Sequence, residues 1–131
     1  MPGAVPTYAL NFYNPAVADQ LRTSRKTATI RLGDKSPKYR KGMLVTVLCG
    51  ARYGAREKVF DAVIDKVDVK PLMDLSPREI EHDNPEIRRP DELAAFLGQL
   101  YNRHVGEDDT VTVIHFSEIV SPSLEVANLP G

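Results

Sequence analysis

The spacing of apolar and polar positions changes period several times along the chain, and each change marks an element. Tyr8 to Tyr13 (Tyr-Ala-Leu-Asn-Phe-Tyr) is aromatic and alternating, which predicts a short first strand. Asn14-Pro15 then ends it, with Asn14 placed to cap a helix whose first position is Pro15 and whose apolar stripe is Val17, Ala18 and Leu21. From Lys26 to Leu32 the period returns to two: Thr27, Thr29 and Arg31 face one way, Ala28, Ile30 and Leu32 the other. Met43 to Cys49 is apolar and β-branched enough for a buried strand, and Gly50 to Ala55 reads as a hairpin turn. Lys58 to Val69 alternates over a length that invites a twist or bulge, and Pro71 stops it.

The second half carries the helix signals. Ser76-Pro77-Arg78-Glu79 predicts a capping box with proline at the first helical position, in a helix that runs to about His82 before Asp83-Asn84-Pro85 breaks it. Pro90 opens another helix, with Leu93, Phe96, Leu97 and Leu100 as its expected apolar face. Thr110 to Val120 reads as a closing strand. Strands dominate and helices are inserted rather than alternating, so the expected class is α+β: a small, mixed, partly closed β-barrel of about five to six strands.

Charge alters this picture more than composition does. The 131 residues carry a net charge of −1, yet Arg22 to Lys58 holds eleven basic and two acidic residues, and the chain from Val59 onward six basic and fifteen acidic. The basic excess gathers around Ser24 to Arg31 and continues through Lys35, Lys38, Arg40 and Lys41. A row of hydroxyls inside such a patch suits an anionic ligand, because phosphate contacts need a local cluster of cations and not a basic protein. The alternative is that the two halves neutralise each other across the fold. With 42% hydrophobic residues the chain is expected to form one domain over 1–131, with its core at about 10–120 and terminal segments at 1–7 and 121–131. The lone Cys49 is expected in the core, and its solitude suits a reducing cytoplasm. No secretory signal or bilayer-length apolar run is present, so a cytoplasmic protein without a membrane partner is expected.

Elimination narrows the chemistry. His82, His104 and His115 lack ligand spacing, so no metal and no cofactor are expected, and no phosphate loop or nucleophile elbow occurs. What remains is Lys26 with Thr29. A threonine hydroxyl becomes a nucleophile when a base takes its proton, and a lysine serves once burial or neighbouring cations such as Arg25 and Arg31 lower its pKa. Three residues apart on a regular strand the two side chains point to opposite faces, so Lys26 must lie in the turn before the strand. An acidic partner is needed as well, and Glu81, Asp83 and Glu86 are the candidates.

Arg25 to Arg31 (Arg-Lys-Thr-Ala-Thr-Ile-Arg) followed by Lys38 to Val47 (Lys-Tyr-Arg-Lys-Gly-Met-Leu-Val-Thr-Val) resembles the signature of the ASCH domain, a family with a PUA-like β-barrel. The later Val-rich strand, the Leu75-Ser76 helix start, the Glu92 to Tyr101 helix and the Val111 to Phe116 strand fall in the same order, over roughly Leu10 to Val120. The resemblance implies binding of RNA or a modified nucleoside in a cleft built on Lys26, Thr29 and Arg31. Arg25, Thr27, Lys38 and Arg40 would be further contacts, and Tyr39 or Tyr53 a stacking platform. It also implies an alternative, since one ASCH branch deacetylates N4-acetylcytidine with a lysine and a threonine that match Lys26 and Thr29. Counting from the Leu75-Ser76 helix start matches that branch's glutamate to Asp83, and counting back from the Glu92 helix matches it to Glu86. Asp83 is preferred. A ribonuclease has also been assigned within the family, and a protein-interaction accessory domain is the third reading.

Overall fold

The computed structural model describes residues 8–14, 16–51 and 54–120. Tyr53, the hairpin-turn residue Arg52, Pro15 and the expected terminal segments lie outside them. Five strands form one mixed sheet: β1 (Tyr8–Phe12), β2 (Ala28–Leu32), β3 (Leu44–Gly50), β4 (Arg56–Pro71) and β5 (Thr110–Glu118), in the order β1-β3-β4-β5-β2. β1 runs parallel to β3 and every other pairing is antiparallel. Three α-helices complete the fold: α1 (Val17–Arg22), α2 (Pro77–Asp83) and α3 (Pro90–Tyr101). The sheet curls into a half-barrel, the α+β arrangement expected, with β1 and β2 as its two edges.

β4 is sixteen residues long and bends twice. Its register against β3 shifts at Val47/Leu48, leaving Val59 as the extra residue, and against β5 between Ile64 and Lys66, leaving Asp65 extra. Each bulge adds local twist, which lets one strand serve two halves of a curled sheet. β5 lies between β4 and β2 and is buried on both faces. Val111 and Val113 join Ala28, Ile30, Leu32, Leu72, Ile80, Leu93 and Leu97 under α2 and α3. Ile114 and Phe116 face the other way, with Leu10, Phe12, Tyr39, Val45, Val47 and Ile64. Cys49 packs in this second cluster as expected, its thiol donating to the Asn14 carbonyl.

The capping box of α2 forms as its residues predict: the Ser76 hydroxyl accepts from the Glu79 N–H and the Glu79 carboxylate accepts from the Ser76 N–H. α3 differs from expectation. Phe96 and Leu100 are 40% and 59% exposed, and the buried stripe is Leu93, Ala94 and Leu97. At about 100° per residue, Leu93, Ala94, Leu97 and Tyr101 share one arc, centred well away from Phe96. The Tyr101 hydroxyl uses that arc to accept from the Leu32 N–H at 3.4 Å, so contact with the β2 edge, not bulk hydrophobicity, sets the rotation of the helix. Among the described residues no helix is long and apolar enough to cross a membrane.

Candidate functional site

Lys26 is placed by the end of α1. Ser24 adopts φ 59°, the Arg25 and Lys26 N–H groups both reach back to the Gln20 carbonyl, and the Ser24 N–H reaches Leu21. This is a Schellman-type ending, with a serine where glycine is usual. It turns the chain just before β2, so Lys26 precedes the strand and escapes the alternation that would set it opposite Thr29. The side chain then enters the fold, where Nζ donates to Asp83 twice, to the carboxylate Oδ1 at 2.8 Å and to the main-chain carbonyl at 2.6 Å. The two side chains are 6% and 9% exposed. Burial pushes the Lys26 amine below its ordinary value; Asp83 opposes that shift, and the nearby Arg31 adds to it.

Asp83 has a second duty. Its Oδ1 also accepts the Ile30 N–H at 3.0 Å, and the Thr27 N–H donates to the His82 carbonyl. The last turn of α2 therefore covers the edge of β2 that β5 leaves open, and Tyr101 covers it further along. Of the three acidic candidates Asp83 is the one brought to Lys26; Glu81 and Glu86 are exposed.

Thr29 is buried on the opposite face from Ile30, and its Oγ1 accepts from the Arg31 Nε at 3.0 Å rather than from Lys26. Arg31 reaches on to the Asn11 carbonyl of β1 at 2.8 Å. One side chain thus spans the two edge strands of the half-barrel. The Phe12 ring links both cations, with Lys26 Nζ 5.2 Å and Arg31 Cζ 5.1 Å from its centroid. Phe12 and Asn11 are the site residues that sequence reasoning missed. In β1 the alternation marks Phe12 only as a core residue, and no local signal says that its ring meets the basic motif.

The remaining expected residues divide. Arg25, Lys38 and Arg40 are exposed; among the described residues they form no ion pair, nor do Arg22, Arg31, Lys35 and Lys41. Neutralisation across the fold is therefore slight there: Lys26–Asp83 and Lys58–Asp61 are the ion pairs linking the basic stretch to the acidic half. Tyr39 corrects the stacking expectation. It is 3% exposed, its ring sits in the core, its hydroxyl donates to the Ala9 carbonyl, and Lys38 Nζ lies 5.3 Å from the ring centroid. A base has no access to it. The loop instead uses Tyr39 as an anchor that holds Lys38 and Arg40 at the surface.

A cavity of about 360 Å³ opens beside the motif, lined by Lys26, Thr27, Phe60, His82, His115 and Phe116 among others. Thr29 does not line it. A larger, more open hollow of about 690 Å³ lies between α3 and residues 102–107, away from the basic motif.

No protein-family model and no curated protein matches the chain. Solved structures do. A DUF984-family protein from Enterococcus faecalis V583 aligns with a TM-score of 0.67 at 14% identity, over 88% of this chain and 82% of that one. The ASCH domain from Lactobacillus crispatus JV V101 aligns with a TM-score of 0.63 at 14% identity, over 86% and 80%. A hypothetical protein aligns with a TM-score of 0.62 at 15% identity, over 86% and 98%. At such identities the likeness is one of fold.

Proposed function

We propose, from the ASCH-domain fold as premise, that this protein binds RNA or a modified nucleoside at the seam between β1 and β2. Lys26, Thr29 and Arg31 form the floor, and Arg25, Lys38 and Arg40 receive phosphate. The observation that carries this reading is the run of exposed cations without acidic partners around a buried, hydrogen-bonded Lys-Thr-Arg constellation. Elsewhere Lys58, Lys66, Lys70, Arg89 and Arg103 each meet a carboxylate. An uncompensated patch of this kind attracts a polyanion, whose binding releases counterions.

A second reading, amidohydrolysis of N4-acetylcytidine, is favoured by the protonation chemistry of Lys26. Its lowered pKa suits a base, although Asp83, which holds the amine in place, opposes that lowering, and the Arg31 Nε donated to Thr29 Oγ1 leaves the threonine proton available to be taken. In that reaction Thr29 Oγ bonds to the acetyl carbon as Lys26 accepts its proton. The C–N bond then breaks, the cytidine amine takes that proton, and water hydrolyses the acetyl ester.

The test has two arms. Fluorescence anisotropy with a labelled single-stranded RNA across a salt series is expected to show steep weakening, with the log–log slope falling by about one for each of Arg25→Ala, Lys38→Ala and Arg40→Ala. Affinity indifferent to salt and to all three changes overturns the binding reading. Hydrolysis of N4-acetylcytidine by the wild type, lost in Lys26→Ala and Thr29→Ala, establishes the second; a folded but inactive wild type removes it.

A further inference from the structure

Outside the Lys26 site, the bulge in β4 creates a second constellation. The extra residue Asp65 shifts the register so that Lys66, rather than Asp65, lies opposite His115 on β5. By the two-residue period Asp68 and Lys70 then join Lys66 and His115 on one face of the sheet. α2 packs nearby and contributes Glu79. A side-chain nitrogen of His115 and a carboxylate oxygen from each of Asp68 and Glu79 lie within 4.8 Å of one another, all three residues half-buried.

We propose that Asp68, Glu79 and His115 bind one divalent first-row transition-metal ion. One imidazole and two carboxylates form a mixed nitrogen and oxygen donor set of the kind such ions accept, and they leave coordination positions open. Ligand atoms about 2.0–2.2 Å from a common ion sit at most about 4.4 Å apart, so small side-chain rotations close the set. The backbone is already in place. Glu79 is held by the Ser76 cap through Oε1, which fixes the carboxylate on its helix, and Lys70 Nζ on β4 lies 3.0 Å from Oε1 and 2.9 Å from Oε2. His115 also lines the cavity that contains Lys26 and His82, so an ion on this imidazole has a route to water and to an anionic ligand.

The titratable groups facing the site are Lys66, Lys70 and His82 together with its own carboxylates. Lys70 Nζ sits 2.9 Å from Glu79 Oε2 and Lys66 Nζ 3.2 Å from Asp68 Oδ2. These ammonium groups occupy the ground that a metal ion takes, which makes Lys70 a competitor. A metal site therefore predicts something that a plain salt-bridge network does not: removing Lys70 improves metal binding.

Isothermal titration of the full chain with Zn²⁺, alongside Co²⁺ absorption spectra, tests this. The wild type is expected to bind one equivalent, and Lys70→Gln to bind several-fold more tightly. Asp68→Asn and His115→Ala are each expected to lose at least about tenfold in affinity, with folding checked by circular dichroism. His104→Ala, beside the separate hollow on α3, is expected to bind as the wild type does. Absence of binding in both the wild type and Lys70→Gln overturns the proposal. So does a folded Asp68→Asn or His115→Ala that binds unchanged.

Discussion

Lys26 and Asp83 form a buried pair whose two partners respond differently to removal. Lys26→Met leaves the Asp83 carboxylate 9% exposed, with the Ile30 N–H as its remaining donor, and strips the Asp83 carbonyl of its 2.6 Å bond. A carboxylate stranded in this way destabilises by about 3–5 kcal/mol. Asp83→Asn is gentler. The amide still accepts from Ile30, and without the Asp83 charge the Lys26 pKa falls further, which lowers the cost of the buried amine; the lost charge-assisted bond amounts to about 1.5–3 kcal/mol. The sign of the pH effect follows from the depressed amine. Between its folded pKa and its ordinary value of 10.5 the unfolded chain binds the extra proton, so stability rises with pH through that window and is lost as pH falls through the folded value. In Asp83→Asn the window widens downward, because the group that held the amine up is gone. Urea unfolding of both variants at pH 7 and pH 9 measures this. Equal losses in the two variants, or an Asp83→Asn stability that is flat or falls toward pH 9, would refute the reasoning.

Other substitutions probe single links. Arg31→Ala removes the bonds to Thr29 Oγ1 and the Asn11 carbonyl and is expected to destabilise by about 1–3 kcal/mol, with faster hydrogen exchange in β1 as the readout. Ser24→Gly relieves a left-handed serine and is expected to stabilise by about 1 kcal/mol in thermal unfolding. Gly50→Ala sets a new methyl 2.5 Å from the Ala55 carbonyl oxygen across the hairpin, and a loss of about 1–3 kcal/mol is expected in denaturant titration.

Local rules carried much of the fold. The α2 capping box, the bulged β4 and the alternation of β2 are each written in a few adjacent residues, and each formed. The Lys-Thr-x-Thr-x-Arg motif pointed to the ASCH fold, and solved structures with that fold align over most of the chain. Asp83 was singled out by counting from the Leu75-Ser76 helix start against the family resemblance, whereas the local pattern ended α2 at about His82 and the helix runs one residue further, to Asp83. What stayed hidden depended on distant partners. The exposed faces of Phe96 and Leu100 follow from where α3 meets β2, the burial of Tyr39 from a carbonyl thirty residues away, and the grouping of Asp68 with His115 from a one-residue shift between strands. No window of sequence contains both sides of those contacts.

Among the described residues no further strand pairs with the two edges of the half-barrel, and side chains occupy both. Asp83 and Tyr101 take N–H groups of β2, while Arg31 and Tyr39 give to the carbonyls of β1. An unguarded strand edge templates pairing with another copy of the chain. Asp83 and Arg31 therefore occupy backbone groups that would otherwise be open to such pairing, a role that does not depend on any ligand.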